Sequence, residues 1–116
     1  MFTGYAIRSP DLFFVAEAGV YLAGYSITSL HREHAELASI AVSPRWRGNG
    51  IAKQLIARSM AVSERAGARK MWLTVKVDNA PAIQLYESLG FRRERRVKQY
   101  YEDGADGLRM ARRLTA

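Results

Sequence analysis

The chain has 116 residues, 48% of them hydrophobic and 25% charged, which suits one domain with one hydrophobic core over residues 1–116. It has no cysteine and only two histidines, which excludes disulfides and thiol catalysis and predicts no metal site. The net charge of +7 allows an anionic cofactor as partner, but acidic and apolar residues interrupt the basic ones, so we expect no direct contact with nucleic acid.

Strand patterns dominate the first third of the chain. Two β-rich runs, residues 12–17 and 20–28, flank the turn residues Ala18 and Gly19 and predict a hairpin. A third strand is predicted over residues 35–42. No apolar run is long enough to cross a bilayer, and no signal segment opens the chain, so we expect a cytoplasmic protein that does not bind membranes.

Two helices are predicted in the remaining part. Apolar residues recur at helical spacing over residues 51–66, and Gly67 stands where a C-terminal glycine cap belongs. A second, shorter helix is predicted over residues 80–89, because Pro81 suits a first helical turn and Gly90 suits the position after the last.

Three further strands are predicted at residues 71–77, 91–101 and 108–114. The order of elements is therefore β-β-β-α-β-α-β-β. Helical crossovers join parallel strands, whereas hairpins join antiparallel ones. The sequence thus predicts an α/β (α+β) fold with a mixed, mostly antiparallel sheet.

The segment between the third strand and the first helix carries the clearest functional signal. Gly48 and Gly50 allow a tight turn that leads directly into the helix, so that free backbone N–H groups meet the positive end of the helix dipole. Arg45, Arg47 and Lys53 add positive charge. This arrangement predicts a site for phosphate or pyrophosphate. It matches neither the dinucleotide-binding fingerprint nor the Walker loop.

Two motifs in this chain resemble those of the GNAT superfamily of N-acetyltransferases. Residues 47–52, RGNGIA, fit the [QR]-x-x-G-x-[GA] signature of the coenzyme A loop. Residues 78–91, DNAPAIQLYESLGF, are similar to the N-x-x-A-x-x-[LF]-Y-x-x-x-G-F stretch that these enzymes carry one strand later. The resemblance implies the GNAT fold and transfer of an acetyl group from acetyl-CoA to a primary amine.

A narrower resemblance concerns the acceptor of the acetyl group. Residues 35–42, 85–91 and 100–110 are similar to the bacterial ribosomal-protein-alanine acetyltransferases, although related N-terminal acetyltransferases share versions of the last stretch. The resemblance implies a protein or peptide N-terminus as acceptor. Two other interpretations stay open: acetylation of a small amine, and a non-catalytic coenzyme A-binding module.

The resemblance also implies which residues bind acetyl-CoA, with no metal required. The glycine loop would hold the pyrophosphate, and the backbone of the preceding strand would bind the pantetheine arm. Asn79 would contact the coenzyme, although its position also suits a helix N-cap. The implied coenzyme-binding residues are Ile40, Ala41, Val42, Arg47, Gly48, Asn49, Gly50, Ile51, Ala52, Asn79 and Tyr86.

Two residues are candidates for catalysis. Tyr86 matches the family tyrosine that protonates the leaving thiolate, and a phenol with a pKa near ~10 can do so at neutral pH. Thr74 occupies the position of the family's glutamate base and cannot replace it. Glu36, on the strand that enters the glycine loop, is therefore the expected base, directly or through a water molecule. His31 and His34 lie in a loop and rank below it.

The acceptor side is the less complete half of the predicted site. The resemblance implies that Thr74, Tyr100 and Tyr101 line it, although the two tyrosines also fit a strand that alternates one ring inward and one outward. Family members usually begin with a strand and a helix pair before the first hairpin, whereas only residues 1–10 precede it here. We therefore expect uncovered apolar surface, for which a homodimer is one remedy.

Overall fold

Residues 4–8 and 11–114, which the computed structural model describes, contain seven strands in one sheet and two α-helices. The strands are β1 (Gly4–Arg8), β2 (Asp11–Ala18), β3 (Tyr21–His31), β4 (His34–Val42), β5 (Lys70–Lys76), β6 (Arg92–Val97) and β7 (Gly107–Arg113). The helices are α1 (Ile51–Arg65) and α2 (Ala80–Ser88), and a short 3-10 turn, Pro44–Trp46, precedes α1. Neither helix is long and apolar enough to cross a membrane, in the part of the chain described.

The strands lie across the sheet in the order β1-β2-β3-β4-β5-β7-β6. Only β4 and β5 pair in parallel, and every other neighbouring pair in this sheet is antiparallel. The predicted mixed, mostly antiparallel sheet is therefore confirmed, and the predicted order β-β-β-α-β-α-β-β is confirmed from β2 to β7.

One strand was not predicted. No strand was expected before the first hairpin, whereas β1 pairs with β2 along its whole length, from Gly4 opposite Val15 to Arg8 opposite Asp11. Glycine and alanine have low strand propensity, so this run shows little strand pattern and depends on backbone pairing with β2. Among the described residues no α-helix precedes α1.

Strand β6 is shorter than predicted, because it ends at Val97 instead of residue 101. The Asp106 carboxylate accepts the backbone N–H of Gln99 at 2.9 Å, and Gln99 has a φ of 50°. This contact turns the chain out of the sheet. Residues 98–106 form a loop between β6 and β7, named here the β6–β7 loop.

Both helices pack on one face of the sheet, as expected when two right-handed crossovers run in the same direction. The core side chains on this face include Leu12, Phe14, Ile51, Leu55, Ile56, Met60, Met71, Leu73, Val75, Ile83 and Tyr86. Burying a side chain of this size contributes about 1.5–3 kcal/mol. The core therefore fixes the positions of both helices relative to β4 and β5.

Neither helix covers the opposite side of the sheet, which we call the open face. Phe13 of β2 is 40% exposed there, and its ring meets that of Tyr25 edge-on at 6.2 Å. Trp72 of β5 is half-buried on the same face, under the guanidinium group of Arg109 at 3.9 Å from the ring centre. The open face therefore carries aromatic surface, as expected from the sequence.

Strands β4 and β5 pair for only three residues, and the last pair places Glu36 opposite Trp72. Just beyond this pair, β4 carries a β-bulge at Ala38, where its register with β3 shifts. A bulge bends its strand, and from this point β4 and β5 diverge. Within the described residues, positions 38–42 have no strand partner on the side of β5. Their backbone N–H and C=O groups are therefore available to a ligand.

Candidate active site

The diverging strands enclose a cleft of about 280 Å³. Strands β4 and β5 form its two walls, and α2 and the β6–β7 loop contribute the remaining side chains. The lining residues are Leu37, Ala38, Ser39, Ile40, Leu73, Thr74, Val75, Lys76, Asn79, Tyr86 and Tyr101. Five residues singled out from the sequence therefore meet in one cleft: Ile40, Thr74, Asn79, Tyr86 and Tyr101.

A second cavity, of about 230 Å³, lies where β4 leads into α1. Gly48 and Gly50, which line it, have φ values of 83° and 73°, in the left-handed region that favours glycine. Gly50 is the N-cap of α1 and offers no side-chain acceptor. The first backbone N–H groups of α1 are therefore left for an anion, at the positive end of the helix dipole.

Two side chains hold this glycine loop in shape. Arg47 donates its Nε–H to the carbonyl oxygen of Val42 at 3.4 Å, and Asn49 donates from Nδ2 to the carbonyl oxygen of Trp46 at 2.9 Å. Of the other residues implied for the coenzyme, Ile51, Ala52 and Val42 also line this cavity. Ala41 is exposed and lines neither cavity. Asn49 does not line this cavity, and its side-chain amide stabilises the loop.

Tyr86 is buried where α2 meets the cleft, with 8% of its surface exposed. Its ring lies 6.1 Å from that of Phe91, edge to face, which fixes its orientation against the core. Burial raises the pKa of its hydroxyl above the ordinary value of 10.0, and Tyr101 raises it further. Tyr86 therefore keeps its proton at neutral pH, as an acid for a leaving thiolate requires.

Asn79 begins α2 and also lines the cleft. Its side-chain oxygen accepts the backbone N–H of Ala82 at 3.3 Å, so the N-cap role predicted from the sequence is present. Contact with a coenzyme stays a prediction.

Glu36 belongs to the last residue pair before β4 and β5 diverge, at the apex of the cleft, but it is not among the residues that line the cleft. It is half-buried, and its neighbour Leu37 is buried on the helix side and lines the cleft. Because side chains alternate along a strand, Glu36 lies on the open face. The candidate base and the candidate acid thus approach the cleft from opposite sides of the sheet, Glu36 from the open face and Tyr86 from α2.

The two tyrosines of the β6–β7 loop are placed differently. Tyr101 lines the cleft and donates its hydroxyl to the carbonyl oxygen of Thr74 at 3.4 Å. Tyr100 is 50% exposed and does not line the cleft, although its ring packs edge-on against Tyr101 at 4.9 Å between centres. The structure therefore brings Thr74 and Tyr101 together, and it places Tyr100 behind Tyr101.

Six of the residues that line the cleft were not singled out from the sequence, and Lys76 is the charged one among them. Lys76 lies on the same side of β5 as Thr74, and its ammonium group binds the Asp103 carboxylate at 2.9 Å and lies 5.3 Å from the centre of the Tyr101 ring. Asp103 raises the pKa of Lys76, and the hydrogen bond from Lys76 lowers the pKa of Asp103, so both are charged at neutral pH. The signal available in the sequence was the alternation of side chains along the predicted strand, which places Lys76 on the same side as Thr74.

The two histidines lie elsewhere. His31 and His34 face each other across the tip of the β3–β4 hairpin, next to the start of β5, and neither lines the cleft. The prediction that they lie in a loop is therefore wrong, because β3 ends at His31 and β4 begins at His34. Among the described residues, the titratable side chains that line the cleft are Lys76, Tyr86 and Tyr101.

Comparison with known proteins places these features in a family. A model of the acetyltransferase (GNAT) family matches residues 1–91 of this chain. The crystal structure of a ribosomal-protein-alanine N-acetyltransferase from Escherichia coli superimposes with a TM-score of 0.86 at 32% identity, covering 95% of this chain and 73% of that one. The fold implied by the two sequence motifs is therefore confirmed.

Curated relatives agree on the class of protein. The catalytic subunit of the N-terminal acetyltransferase B complex from Arabidopsis thaliana is 35% identical over 117 residues, covering 96% of this chain and 67% of the relative. A ribosomal-protein-alanine N-acetyltransferase from Escherichia coli is 36% identical over 86 residues, covering 74% and 57%. The chain spans between about half and two thirds of the length of the curated relatives it matches.

Proposed function

Because this chain belongs to the acetyltransferase (GNAT) family, we propose that it transfers the acetyl group of acetyl-CoA to the α-amine at the N-terminus of a protein. The observation that carries the proposal is the divergence of β4 and β5 directly before a helix with a glycine N-cap. One continuous stretch of chain thus offers backbone groups for an extended arm and an anion site for a diphosphate.

The chain's own residues fit acetyl-CoA at three points. The backbone N–H groups that follow Gly50 would hold its pyrophosphate. The backbone of residues 40–42, which has no strand partner on the side of β5, would hydrogen-bond its pantetheine arm. Asn79 would contact it at the start of α2. When bound, acetyl-CoA supplies a thioester whose carbonyl carbon an amine can attack.

Acetyl transfer forms a C–N bond and breaks a C–S bond, so one proton leaves the amine and one proton reaches the sulfur. Tyr86 lines the cleft and holds its hydroxyl proton at neutral pH, because burial raises its pKa. We assign it the transfer of this proton to the thiolate. The surrounding apolar side chains, Leu37, Leu73 and Val75, limit the access of water to the reacting atoms.

Glu36 is the group we assign to the proton of the amine, directly or through a water molecule. An α-amine has a pKa near ~8, so roughly a tenth of it is already neutral at pH 7, whereas a lysine amine is neutral in fewer than about one molecule in a thousand. A weak base such as a carboxylate therefore suffices for an α-amine. This difference supports a protein N-terminus over a lysine side chain as acceptor.

The acceptor would lie against Thr74, Lys76 and Tyr101, which line the cleft on the side of β5 and the β6–β7 loop. Such a reaction belongs in the cytoplasm, where acetyl-CoA and new protein chains meet. A homodimer through the open face stays a prediction. Acetylation of a small amine and a non-catalytic role are the two competing functions.

The test compares three acceptors at equal concentration, with acetyl-CoA as donor. The first is a peptide with a free α-amine, the second is the same peptide with a blocked α-amine and an added lysine, and the third is the small polyamine spermidine. Mass spectrometry measures gain of an acetyl group, and a thiol reagent measures release of coenzyme A. We expect acetylation of the first peptide alone.

The other results are equally informative. Acetylation of spermidine alone would replace the proposal with a small-amine acetyltransferase. Binding of acetyl-CoA without acetylation of any of a panel of N-terminal residues would favour the non-catalytic module. The Tyr86→Phe variant separates these cases, because an enzyme loses rate in this variant and a binding module is unaffected.

A further inference from the structure

A cavity of about 520 Å³ lies outside the catalytic cleft, where β5 and β6 begin and β7 ends. Five basic side chains line it, together with one carboxylate: Arg69, Lys70, Arg92, Arg112, Arg113 and Glu94. They come from three separate segments of the sequence. We call this cavity the basic cavity.

Nearby acids neutralise only part of this charge. Glu94 is shared between Lys70 at 2.7 Å and Arg109 at 3.8 Å, and Glu33 pairs with Arg69 at 3.6 Å. Within the described residues, Arg92 and Arg113 form no ion pair, and the guanidinium group of Arg112 contacts the sulfur of Met60 at 3.2 Å. The cavity therefore presents an excess of positive charge to solvent, which concentrates anions.

The positive surface continues beyond the cavity. Strand β6 forms one edge of the sheet, and four of its exposed residues are arginines. Arg93 pairs with Glu87 at 3.3 Å and Arg96 pairs with Asp106 at 2.6 Å, so the excess charge on this strand comes from Arg92 and Arg95. At about 3.3 Å per residue, Arg95 lies roughly 10 Å along the strand from Arg92. A single phosphate group needs only one or two arginines, because one guanidinium binds two of its oxygens. The length of the surface fits a chain of phosphates.

We propose that the basic cavity and the adjoining start of β6, as far as Arg95, bind the phosphate backbone of a nucleic acid. Recognition would be through phosphates and without base stacking, because no aromatic side chain lines the basic cavity among the described residues and Arg109 covers the ring of Trp72 nearby. The cavity lies at the opposite end of β5 from Lys76, about 20 Å away, so the catalytic cleft stays accessible.

This inference differs from the expectation of no contact with nucleic acid. That expectation depended on the interruption of the basic residues along the sequence. The fold removes the interruption by placing the start of β5, the start of β6 and the end of β7 side by side. The proposed binding of nucleic acid is independent of acetyl transfer, since it is measured without an acetyl donor or acceptor.

The experiment measures the affinity of the whole chain for a fluorescent single-stranded RNA of mixed sequence, by anisotropy, at several salt concentrations. The logarithm of the association constant should fall linearly with the logarithm of salt. We expect Arg92→Gln and Arg113→Gln each to make this slope shallower by about 0.7–1, the loss of one phosphate contact. Arg92→Lys keeps the charge and should keep the slope.

The matched control is Lys98→Gln, which removes one exposed charge just beyond the far end of β6, outside the proposed surface, and should leave the slope unchanged. Equal losses in Arg92→Gln and Lys98→Gln would mean that general surface charge binds RNA, which overturns the proposal. The proposal would also be overturned if inorganic pyrophosphate or polyglutamate at low concentration displaced all of the RNA, or if acetyl-CoA displaced it. Absence of binding at low salt would also overturn it.

Discussion

The two sides of the catalytic cleft are built from different kinds of sequence. The coenzyme side is one stretch, residues 40–52, whose shape depends on the backbone of Gly48 and Gly50. The acceptor side combines β5 with the β6–β7 loop through the Lys76–Asp103 ion pair at 2.9 Å and the Tyr101–Thr74 contact at 3.4 Å. The first is local in the sequence, whereas the second depends on contacts between partly exposed side chains that are distant in the sequence. Substitutions should therefore affect coenzyme binding and acceptor binding separately.

The largest effect is expected at the chemical step that both sides share. Tyr86→Phe removes the proton donor and should lower kcat about 100- to 10,000-fold. The Kd for acetyl-CoA should stay within about twofold, because the buried ring keeps its packing against Phe91. Steady-state kinetics and calorimetry measure the two quantities.

The control for this variant is Tyr100→Phe, since Tyr100 is half-exposed and does not line the cleft. Its kcat should match that of the unmodified protein. The raised pKa of Tyr86 also predicts a pH profile: the hydroxyl stays protonated, and the rate shows no alkaline decline below about pH 10. A normal kcat for Tyr86→Phe would remove Tyr86 from the mechanism.

The next effect should isolate the coenzyme side. A Cβ atom at position 50 would meet no other atom within 4 Å, but Gly50→Val forces a β-branched residue to adopt a φ of 73°. The loop would leave this conformation, and we expect the Kd for acetyl-CoA to rise about 10- to 100-fold. Gly67→Val is matched to it, because Gly67 has a φ of 101°, open space and no contact with either cavity. Equal changes in Kd would show that the loop has no special role.

Glu36→Gln tests the base at the apex of the cleft. We expect kcat to fall about tenfold at pH 7 and to recover near pH 9, because an α-amine then loses its proton to solvent. The pH–rate profile provides the measurement, and Glu102→Gln, an exposed change of the same charge outside the cleft lining, is the control. A loss that persists at pH 9 would assign Glu36 a positioning role.

The smallest effect should isolate the acceptor side. Lys76→Met removes the ion pair to Asp103 and loosens the β6–β7 loop next to Tyr101. We expect KM for the peptide to rise about threefold to tenfold, with little change in melting temperature, since the pair is exposed. The Kd for acetyl-CoA should not change. A larger change in that Kd than in KM would contradict the division of the cleft into two sides.

The sequence predicted well what short stretches encode. The glycine loop, the Asn79 cap and the glycines after both helices each depend on neighbouring residues, and the structure places them as expected. Strand β1 and the end of β6 depend on pairing partners instead: β1 on β2, and residue Gln99 on Asp106. Their local patterns were therefore weak.

The catalytic cleft and the basic cavity were also hard to predict, because residues that are distant along the chain form them together. Lys76 acquires a role only because Asp103 lies beside it in the fold, 27 residues later. The basic cavity joins residues from β5, β6 and β7, and no window of sequence contains them together. Tyr101 and Tyr100 are adjacent in sequence, and only the turn of the β6–β7 loop decides which of them faces the cleft.

The measurement closest to the central claim is a calorimetric titration of the purified chain with acetyl-CoA. Because residues 40–52 contain the whole glycine loop and the strand edge beside the cleft, we predict one-to-one binding that Gly50→Val weakens and Gly67→Val leaves intact. Absence of binding by a folded, monodisperse sample would contradict this claim, since the glycine loop would then be a turn without a ligand.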